Sequence, residues 1–222
     1  MKKSEQTKQK IIDFFVHQMQ KKDYDKITVK EISEGLQIQR STFYQYFDNC
    51  GELVTELEEQ ILEGMSFYRR SAGRMAHDLT PLPSVEEWFR YCIQYKKELL
   101  ALWGPHGDRK FEERFREKVC ADMNRMMDDE GMPRDGLRPY CVELNFSIHF
   151  SLLRFALQTA GTELEMPPAK LAGLANNWRA AAILAEKKQG IPTTEEEFQQ
   201  LYPQGTLLCH AAELHTHKKE QQ

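Results

Sequence analysis

The stretch from Thr28 to Phe47, TVKEISEGLQIQRSTFYQYF, carries two short helical patterns separated by a tight turn. Thr28 is a favourable N-cap, and Glu31, three residues later, completes the pattern of a capping box. Ile27 and Ile32 fit the hydrophobic staple that fixes the direction in which a chain enters a helix. The stretch therefore predicts a helix that starts at Thr28, followed by a sharp turn and a second helix.

Apolar residues at helical spacing predict that the two helices share one core. The first stripe is Val29, Ile32 and Leu36, and the second is Phe43 and Phe47. The pattern breaks at Gln37, and the second helix is polar outside its stripe. Planar and hydroxyl groups that can bond base edges and phosphates are left pointing away from the core, on Gln39, Arg40, Ser41, Thr42, Tyr44, Gln45 and Tyr46.

A further helix is predicted over residues 7–20, before this stretch. Its apolar stripe is Ile11, Phe14, Phe15 and Met19, which needs a partner surface that the next two helices supply. Lysines flank its start, at Lys2, Lys3, Lys8 and Lys10. They form either an arm that contacts phosphates or the minor groove, or a solvated tip.

Residues 7–60 resemble the N-terminal DNA-binding domain of TetR-family transcriptional regulators. The resemblance rests on ITVKEISEGL, a turn, and RSTFYQYFDNCGEL, with Thr28 and the aromatic run from Phe43 to Phe47 at the family's spacing. Two positions depart from the family. Gln37 occupies a turn position that is usually Gly, at a cost on the order of 1 kcal/mol if the backbone keeps a positive φ. Cys50 replaces a Lys that usually contacts a phosphate, which weakens the expected DNA affinity.

The resemblance implies roles for the polar residues of the second helix. Gln39, Arg40 and Ser41 would face bases, while the phosphate contacts would be Thr28, Thr42, Tyr44 and Tyr46. A single head offers few contacts, so a homodimer bound to a palindromic operator in double-stranded DNA is expected. The helices of this chain near 144–160 and 168–189 resemble the pair of helices that builds the dimer interface in this family.

The rest of the chain also shows helical patterns. Helices are expected at about 52–70, from a capping box at Ser84 and Glu87 to Gly104, from Phe111 to Gly131, and over 137–160, 168–189 and 194–202. No segment alternates as a strand does, and no repeat is found. We therefore expect an all-α fold with a helix-turn-helix domain at 1–50 and a helical effector-binding and dimerisation domain at 51–222.

The helix over 137–160 is the most apolar long segment. One stripe is Phe146, Phe150, Leu153 and Leu157, and the other is Leu144, Ile148, Leu152 and Phe155, so we expect both sides to be buried. Asn145 and His149 lie close to these stripes and need hydrogen-bond partners.

Because the family's body encloses a small-molecule cavity, some aromatic, Met and polar residues are candidates for its lining. They are Trp88, Trp103, Met123, Met127, Asn145, His149 and Phe150. Ordinary core positions explain most of these residues equally well, since helical spacing does not separate a pocket wall from a core. No effector is assigned.

Charge is distributed unevenly along the 222 residues. Residues 1–48 hold nine Lys or Arg against seven Asp or Glu, a net charge of +2, so the remainder carries −6 of the total of −4. The positive part falls where DNA contact needs it, although a solvated surface explains so small a difference as well.

Motif searches exclude several function classes. The sequence has no GxSxG, HExxH, Gly-rich phosphate loop or CxxC, so neither an enzyme nor a cofactor site is expected. His210, His215 and His217 are assigned no metal, because histidines in a charged tail are usually solvated. The odd number of cysteines indicates free thiols, and no signal peptide or membrane span is predicted, so we expect a cytoplasmic protein.

Together these features favour a ligand-responsive DNA-binding regulator, a repressor released from its operator by a small molecule. An alternative is a TetR-like coactivator that acts mainly through a protein partner, as Cys50 suggests. A thiol-based sensor ranks lower, and an enzyme is the least favoured class.

Overall fold

A computed structural model describes residues 3–65, 83–129, 131, 133–177 and 196. Throughout these residues the secondary structure is helical, which confirms the all-α fold. The helices are α1 (Lys3–Met19), α2 (Val29–Leu36), α3 (Arg40–Phe43), α4 (Cys50–Gly64), α5 (Pro83–Gln94), α6 (Lys96–Leu102), α7 (Arg109–Asp129) and α8 (Arg138–Thr159), with a short 3-10 helix at Tyr24–Lys26. Residues 168–177 are helical as well.

The chain divides into two compact units, Met1–Asn177 and Trp178–Gln222. The described helices all belong to the first unit. The predicted helix over 194–202, the second half of the one over 168–189, the C-terminal histidines and Cys209 lie outside the described residues.

Helices α1 to α3 form the head of the first unit, α4 follows them, and α5 to α8 form its body. Ile11, Phe15 and Met19 of α1 are buried as their stripe predicts, and α1 begins at Lys3, four residues before the predicted start. At Gly35 of α2, an added Cβ would lie 2.2 Å from the ring of Phe14. A larger residue at Gly35 would therefore force the ring of Phe14 to move.

Helix α4 follows the head directly and carries the predicted buried stripe Leu53, Leu57, Ile61 and Met65. It begins at Cys50, two residues earlier than predicted, because the side chain of Asn49 accepts a hydrogen bond from the backbone N–H of Glu52 (2.9 Å). The predicted extension to residue 70 lies outside the described residues.

The predicted single helix from Ser84 to Gly104 is wrong in two respects. Pro83 and Ser84 are already helical and Ser84 is buried, so no capping box begins this helix at Ser84. The helix also divides at Tyr95, where φ is −93° and ψ is 27°. Side-chain contacts with α4 hold this position, because Gln60 of α4 donates a hydrogen bond to the hydroxyl of Tyr95 (2.9 Å). Sequence periodicity carries no signal of such a contact.

Helices α7 and α8 pack against each other, and α8 also packs against α5. Gly131 follows α7 with a φ of 70°, as its predicted role in helix termination requires. The expectation that α8 is buried on both sides is wrong for the single chain. Phe146, Leu153 and Leu157 are buried, whereas Leu144 and Phe155 of the second stripe are 53% and 56% exposed.

Candidate nucleic-acid interface

The start of α2 is held by the predicted capping box. The hydroxyl of Thr28 accepts from the backbone N–H of Glu31 (3.3 Å), and the Glu31 carboxylate accepts from the backbone N–H (2.9 Å) and the hydroxyl (2.8 Å) of Thr28. Lys22 also pairs with this carboxylate. Its hydrogen bond, followed by those from Thr28, lowers the pKa of Glu31 to about 2. The carboxylate therefore stays charged and keeps the box closed at neutral pH.

The turn between α2 and α3 is built on Gln37. Its φ of 55° and ψ of 40° are left-handed, and among the described residues it is the one non-glycine position with a positive φ. The backbone N–H of the next residue, Ile38, donates to the carbonyl of Ser33 (3.0 Å) and closes the end of α2. Gln37 therefore keeps the positive φ that the family's usual glycine would adopt at this turn.

Two buried phenylalanines anchor α3 and the turn that follows it. Phe43 and Phe47 are almost fully buried, with ring centroids 5.7 Å apart. Backbone N–H groups of Tyr46 and Phe47 both donate to the carbonyl of Phe43, at 2.9 and 3.1 Å. Although α3 has only four helical residues, its outward side chains are thus fixed to the head's core.

The recognition surface consists of the polar side chains that α3 and its flanks leave in solvent. Those exposed are Gln39, Arg40, Ser41, Tyr44 and Gln45. Thr42 is half-buried, and Tyr46 is half-buried and packs against the core, which corrects the expectation that it points away. Its ring has a structural role because it covers part of the apolar core. Thr28 is exposed, but its hydroxyl is already bonded to Glu31.

The chemistry of the recognition surface suits a polyanion. Between Gly35 and Phe47 the chain has no Asp or Glu, so no carboxylate there repels phosphates. Arg40 carries a planar cation that can donate two hydrogen bonds to guanine, and Gln39 has the amide that pairs with adenine. Tyr44 exposes half of its surface (54%), including a hydroxyl of the kind that binds phosphate.

Cys50 lies in the first turn of α4, next to the recognition surface. It is half-buried, and burial, followed by the negative charge of Glu31, raises the pKa of its thiol to about 11. The side chain is therefore neutral at physiological pH. It supplies neither the positive charge of a lysine nor a reactive thiolate.

The body holds a cluster of aromatic rings that contains four of the candidate ligand-binding residues. Phe115 of α7 lies between Trp88 and Trp103. Its ring centroid is 6.4 Å from that of Trp88 and 4.9 Å from that of Trp103. Trp88 contacts His149 (6.1 Å), and Trp103 contacts Phe150 (5.2 Å). The other candidates, Met123, Met127 and Asn145, are buried on α7 and α8.

Two of the polar candidates have the partners that burial requires. The Asn145 side chain donates to the carbonyl of Cys141 (2.8 Å), and Nδ1 of His149 lies 2.8 Å from the carbonyl of Asn145. A carbonyl only accepts, so Nδ1 of His149 carries a proton and donates it. The indole N–H of Trp103 differs, because this donor is buried and the described residues offer it no acceptor. A buried donor without an acceptor costs about 1–3 kcal/mol.

An ionic network between the head and the body was not predicted from the sequence. Glu58 of α4 pairs with Arg114 of α7, which also donates to Asp108 (2.9 Å). In a second contact, Asp23 lies 2.8 Å from Nδ1 of His106. Glu58 lies beside Leu57 and Ile61 on the buried side of α4, so its position in the apolar stripe was the available signal.

No group of three or more His, Cys, Asp and Glu side chains among the described residues is arranged to hold a metal ion. None of the described helices has the length and hydropathy needed to cross a membrane.

Comparisons with known proteins agree with this arrangement. Residues 11–57 match the family described as bacterial regulatory proteins, tetR family. A search of the curated proteins finds no match. Two solved structures share the fold. The dihydroxyacetone kinase operon activator DhaS has a TM-score of 0.54 and 19% identity over 80% of this chain and 96% of its own. The fatty acid degradation regulator FadR from Bacillus halodurans has a TM-score of 0.53 and 10% identity over 79% and 95%.

Proposed function

The chain carries the DNA-binding domain of the TetR family of bacterial regulatory proteins at residues 11–57, and on this premise we propose that it is a homodimeric, ligand-responsive repressor. The observation that carries the proposal is the recognition surface. Buried Phe43 and Phe47 hold it in place, and it presents a guanidinium, amides and hydroxyls without an opposing carboxylate.

Binding of α3 in the major groove follows from its geometry and chemistry. Arg40 and Gln39 lie at the start of α3, where the first residues of a recognition helix meet base edges. Tyr44, one turn later, would bond a phosphate and position the helix without reading sequence. These two classes of contact have different experimental signatures.

The exposed stripe of α8 supports a dimer. Tyr140, Leu144 and Phe155 leave large apolar surfaces in solvent on a long helix, with the small residues Ser147 and Ser151 between them. A second copy of α8 would cover this stripe about a two-fold axis. The two recognition helices would then reach successive major grooves, roughly 34–36 Å apart.

The aromatic cluster supports an effector site in the body. Trp103 and Phe150 are half-buried, and the indole N–H of Trp103 has no acceptor in the described part of the chain. An apolar molecule that carries a carbonyl or ether oxygen would stack on these rings and accept that hydrogen bond. If the molecule binds better to the conformation that does not bind DNA, it lowers DNA affinity by the same free-energy difference.

The test begins with selection of binding sites from random duplexes, which should enrich a palindrome. Binding of variants to the enriched duplex is then measured by gel shift. Tyr44→Ala should weaken binding to every sequence, whereas Arg40→Ala should relax preference at one or two positions by about 1–3 kcal/mol. Arg109→Ala, at an exposed arginine of the body, is the matched control. If neither α3 variant loses affinity, α3 does not enter the groove.

A second candidate function is a coactivator that acts mainly through a protein partner. Neutral Cys50 favours it, because the first turn of α4 then has Glu52, with Asp48 just before the helix, but no cation beside the recognition surface. DhaS, one of the structures with this fold, is named as an activator. Failure of selection to enrich any palindrome, together with co-purification of a stoichiometric partner that the Tyr44→Ala variant no longer binds, would favour this function.

A further inference from the structure

A buried carboxylate connects α4 to the body at the side chain of Glu58. Its residue is 4% exposed, and one oxygen, Oε2, accepts a hydrogen bond from Arg114 of α7. The other oxygen, Oε1, is buried and has no hydrogen-bond partner among the residues that the structure describes. An ionised carboxylate spreads its charge over both oxygens, so half of this charge lies on an atom that no donor stabilises.

Arg114 has a second carboxylate to bind. It donates to Asp108 (2.9 Å), which lies immediately before α7 and belongs to the body. If Glu58 loses its charge, Arg114 keeps an ionised partner within the body without moving. The guanidinium is thus shared between α4, which follows the DNA-binding head directly, and the turn that precedes α7.

We propose that Glu58 is a proton-sensitive connection between the head and the body: when it is ionised it ties α4 to α7 through Arg114, and uptake of a proton releases this tie. The inference rests on the proposed DNA-binding function, to which it adds the proton as a second input beside the effector.

The charged and titratable groups around Glu58 make proton uptake favourable at accessible pH. Burial raises the pKa of Glu58 to about 7; the positive charge of Arg114 opposes the rise, and the negative charges of Asp108 and Glu59 add to it. Tyr24 of the 3-10 helix is also close, and its own pKa is raised by burial and then by the charges of Asp108, Asp25 and Glu58. Among the described residues, Arg114 is therefore the cation that acts on Glu58, and the other groups named are acidic or neutral.

The sign of the effect on stability follows from this raised pKa. Between about 4.5, the ordinary value for Glu, and about 7, the folded chain binds a proton that the unfolded chain does not. The contribution of Glu58 therefore stabilises the folded chain at low pH and is lost as pH rises through about 7. As pH falls over the same range, Arg114 loses its charged partner on α4 and the connection weakens. The folded chain nevertheless becomes more stable, because it takes up the proton.

The test compares the full chain with Glu58→Gln, which keeps the shape and cannot ionise. Thermal unfolding is measured from pH 8 to pH 6, and the midpoint of the wild type should rise by about 3 °C more than that of the variant. Glu63→Gln, at an exposed glutamate of the same helix, changes the same charge and should behave as wild type. Identical pH dependence in wild type and Glu58→Gln would overturn the inference.

The second measurement is affinity for the duplex recovered by selection, at the same pH values. For each protein, the affinity for the duplex at pH 6 is divided by that at pH 8. This ratio in the wild type should differ from that in Glu58→Gln by about fivefold or more. His106→Gln is measured in parallel as a control, because His106 forms the other contact with the head, through Asp23. Equal ratios for wild type and Glu58→Gln would overturn the inference and leave the proposed function intact, whereas no DNA binding at any pH would overturn both.

If Glu58→Gln does not fold, Asp108→Asn replaces it. Asn retains the capping of α7 that Asp108 provides through the backbone N–H of Lys110 (2.9 Å), but removes the negative charge that raises the pKa of Glu58. The pH dependence of thermal unfolding should then lie at lower pH in Asp108→Asn than in the wild type. An unchanged midpoint of that dependence would contradict the inference.

Discussion

The surfaces of α3 and α8 are both exposed, yet they are built from opposite classes of side chain. On α3, Gln39, Arg40 and Tyr44 present hydrogen-bonding groups, whereas Leu144 and Phe155 on α8 present hydrocarbon. The polar surface is well solvated, so it gains from a partner only if that partner replaces the lost water contacts. The apolar surface is stabilised by contact with any complementary surface that excludes water from it. In the proposed function, the polar surface of α3 therefore recognises DNA by hydrogen bonding, whereas the apolar surface of α8 recognises a second copy by shape and burial.

The largest expected effect comes from the apolar surface. Leu144→Glu combined with Phe155→Glu should convert the dimer to a monomer, because four carboxylates would meet across the two-fold axis. Loss of the second head should weaken DNA binding by about 100-fold or more. Light scattering after gel filtration measures the mass, and gel shift measures the affinity. Gln94→Glu, at an exposed end of α5, is the control. A double variant that remains dimeric would remove α8 from the interface.

A matched pair of Phe→Ala changes compares the core of the head with the aromatic cluster of the body. Phe43 is completely buried, so Phe43→Ala should lower the free energy of unfolding by about 3–5 kcal/mol. Phe150 is half-buried, so Phe150→Ala should cost less and should instead alter the binding of apolar ligands. Denaturant unfolding measures the first effect, and tryptophan fluorescence on titration with apolar carbonyl compounds measures the second. Equal stability losses would contradict this division of roles.

The cap of α2 has a smaller expected effect. Thr28→Ala should destabilise the chain by about 1 kcal/mol, and Thr28→Ser should retain most of that stability, because Ser keeps the hydroxyl. The pKa of Glu31 is lowered to about 2, so its part of the cap stabilises the fold above about 4.5 and is lost as pH falls toward about 2. Circular dichroism during thermal unfolding measures both. No difference between Thr28→Ala and Thr28→Ser would argue against a role for the hydroxyl.

The smallest effect is a gain at the turn of the head. Gln37→Gly should stabilise the chain by about 0.5–1 kcal/mol, because Gly adopts the observed φ of 55° without a steric penalty. Gln39→Gly, at a residue with a φ of −72°, should give no such gain. Thermal unfolding of both variants provides the comparison. A gain at both positions would indicate that the backbone strain at Gln37 is not the cause.

Prediction from the sequence succeeded where neighbours in the chain determine the structure. The capping box at Thr28 links residues three apart, and the buried stripes of α1 and α4 repeat every three to four residues. It failed at Tyr95, where a hydrogen bond from Gln60, 35 residues earlier, accompanies a break that helical periodicity does not encode. It also missed Tyr46, which has the polar composition of its exposed neighbours but packs against the core.

The sequence alone determined the all-α fold, the helix-turn-helix head and the set of polar residues on α3, because caps, turn backbone and apolar spacing act within a few residues. Only the tertiary structure decided which of the two apolar stripes of α8 is covered and which side chain of α4 meets Arg114. Both depend on the arrangement of helices that are distant in the chain, and burial of Glu58 depends on that arrangement as well. A hydrophobic pattern predicts that a surface is buried, whereas the tertiary structure determines which element buries it.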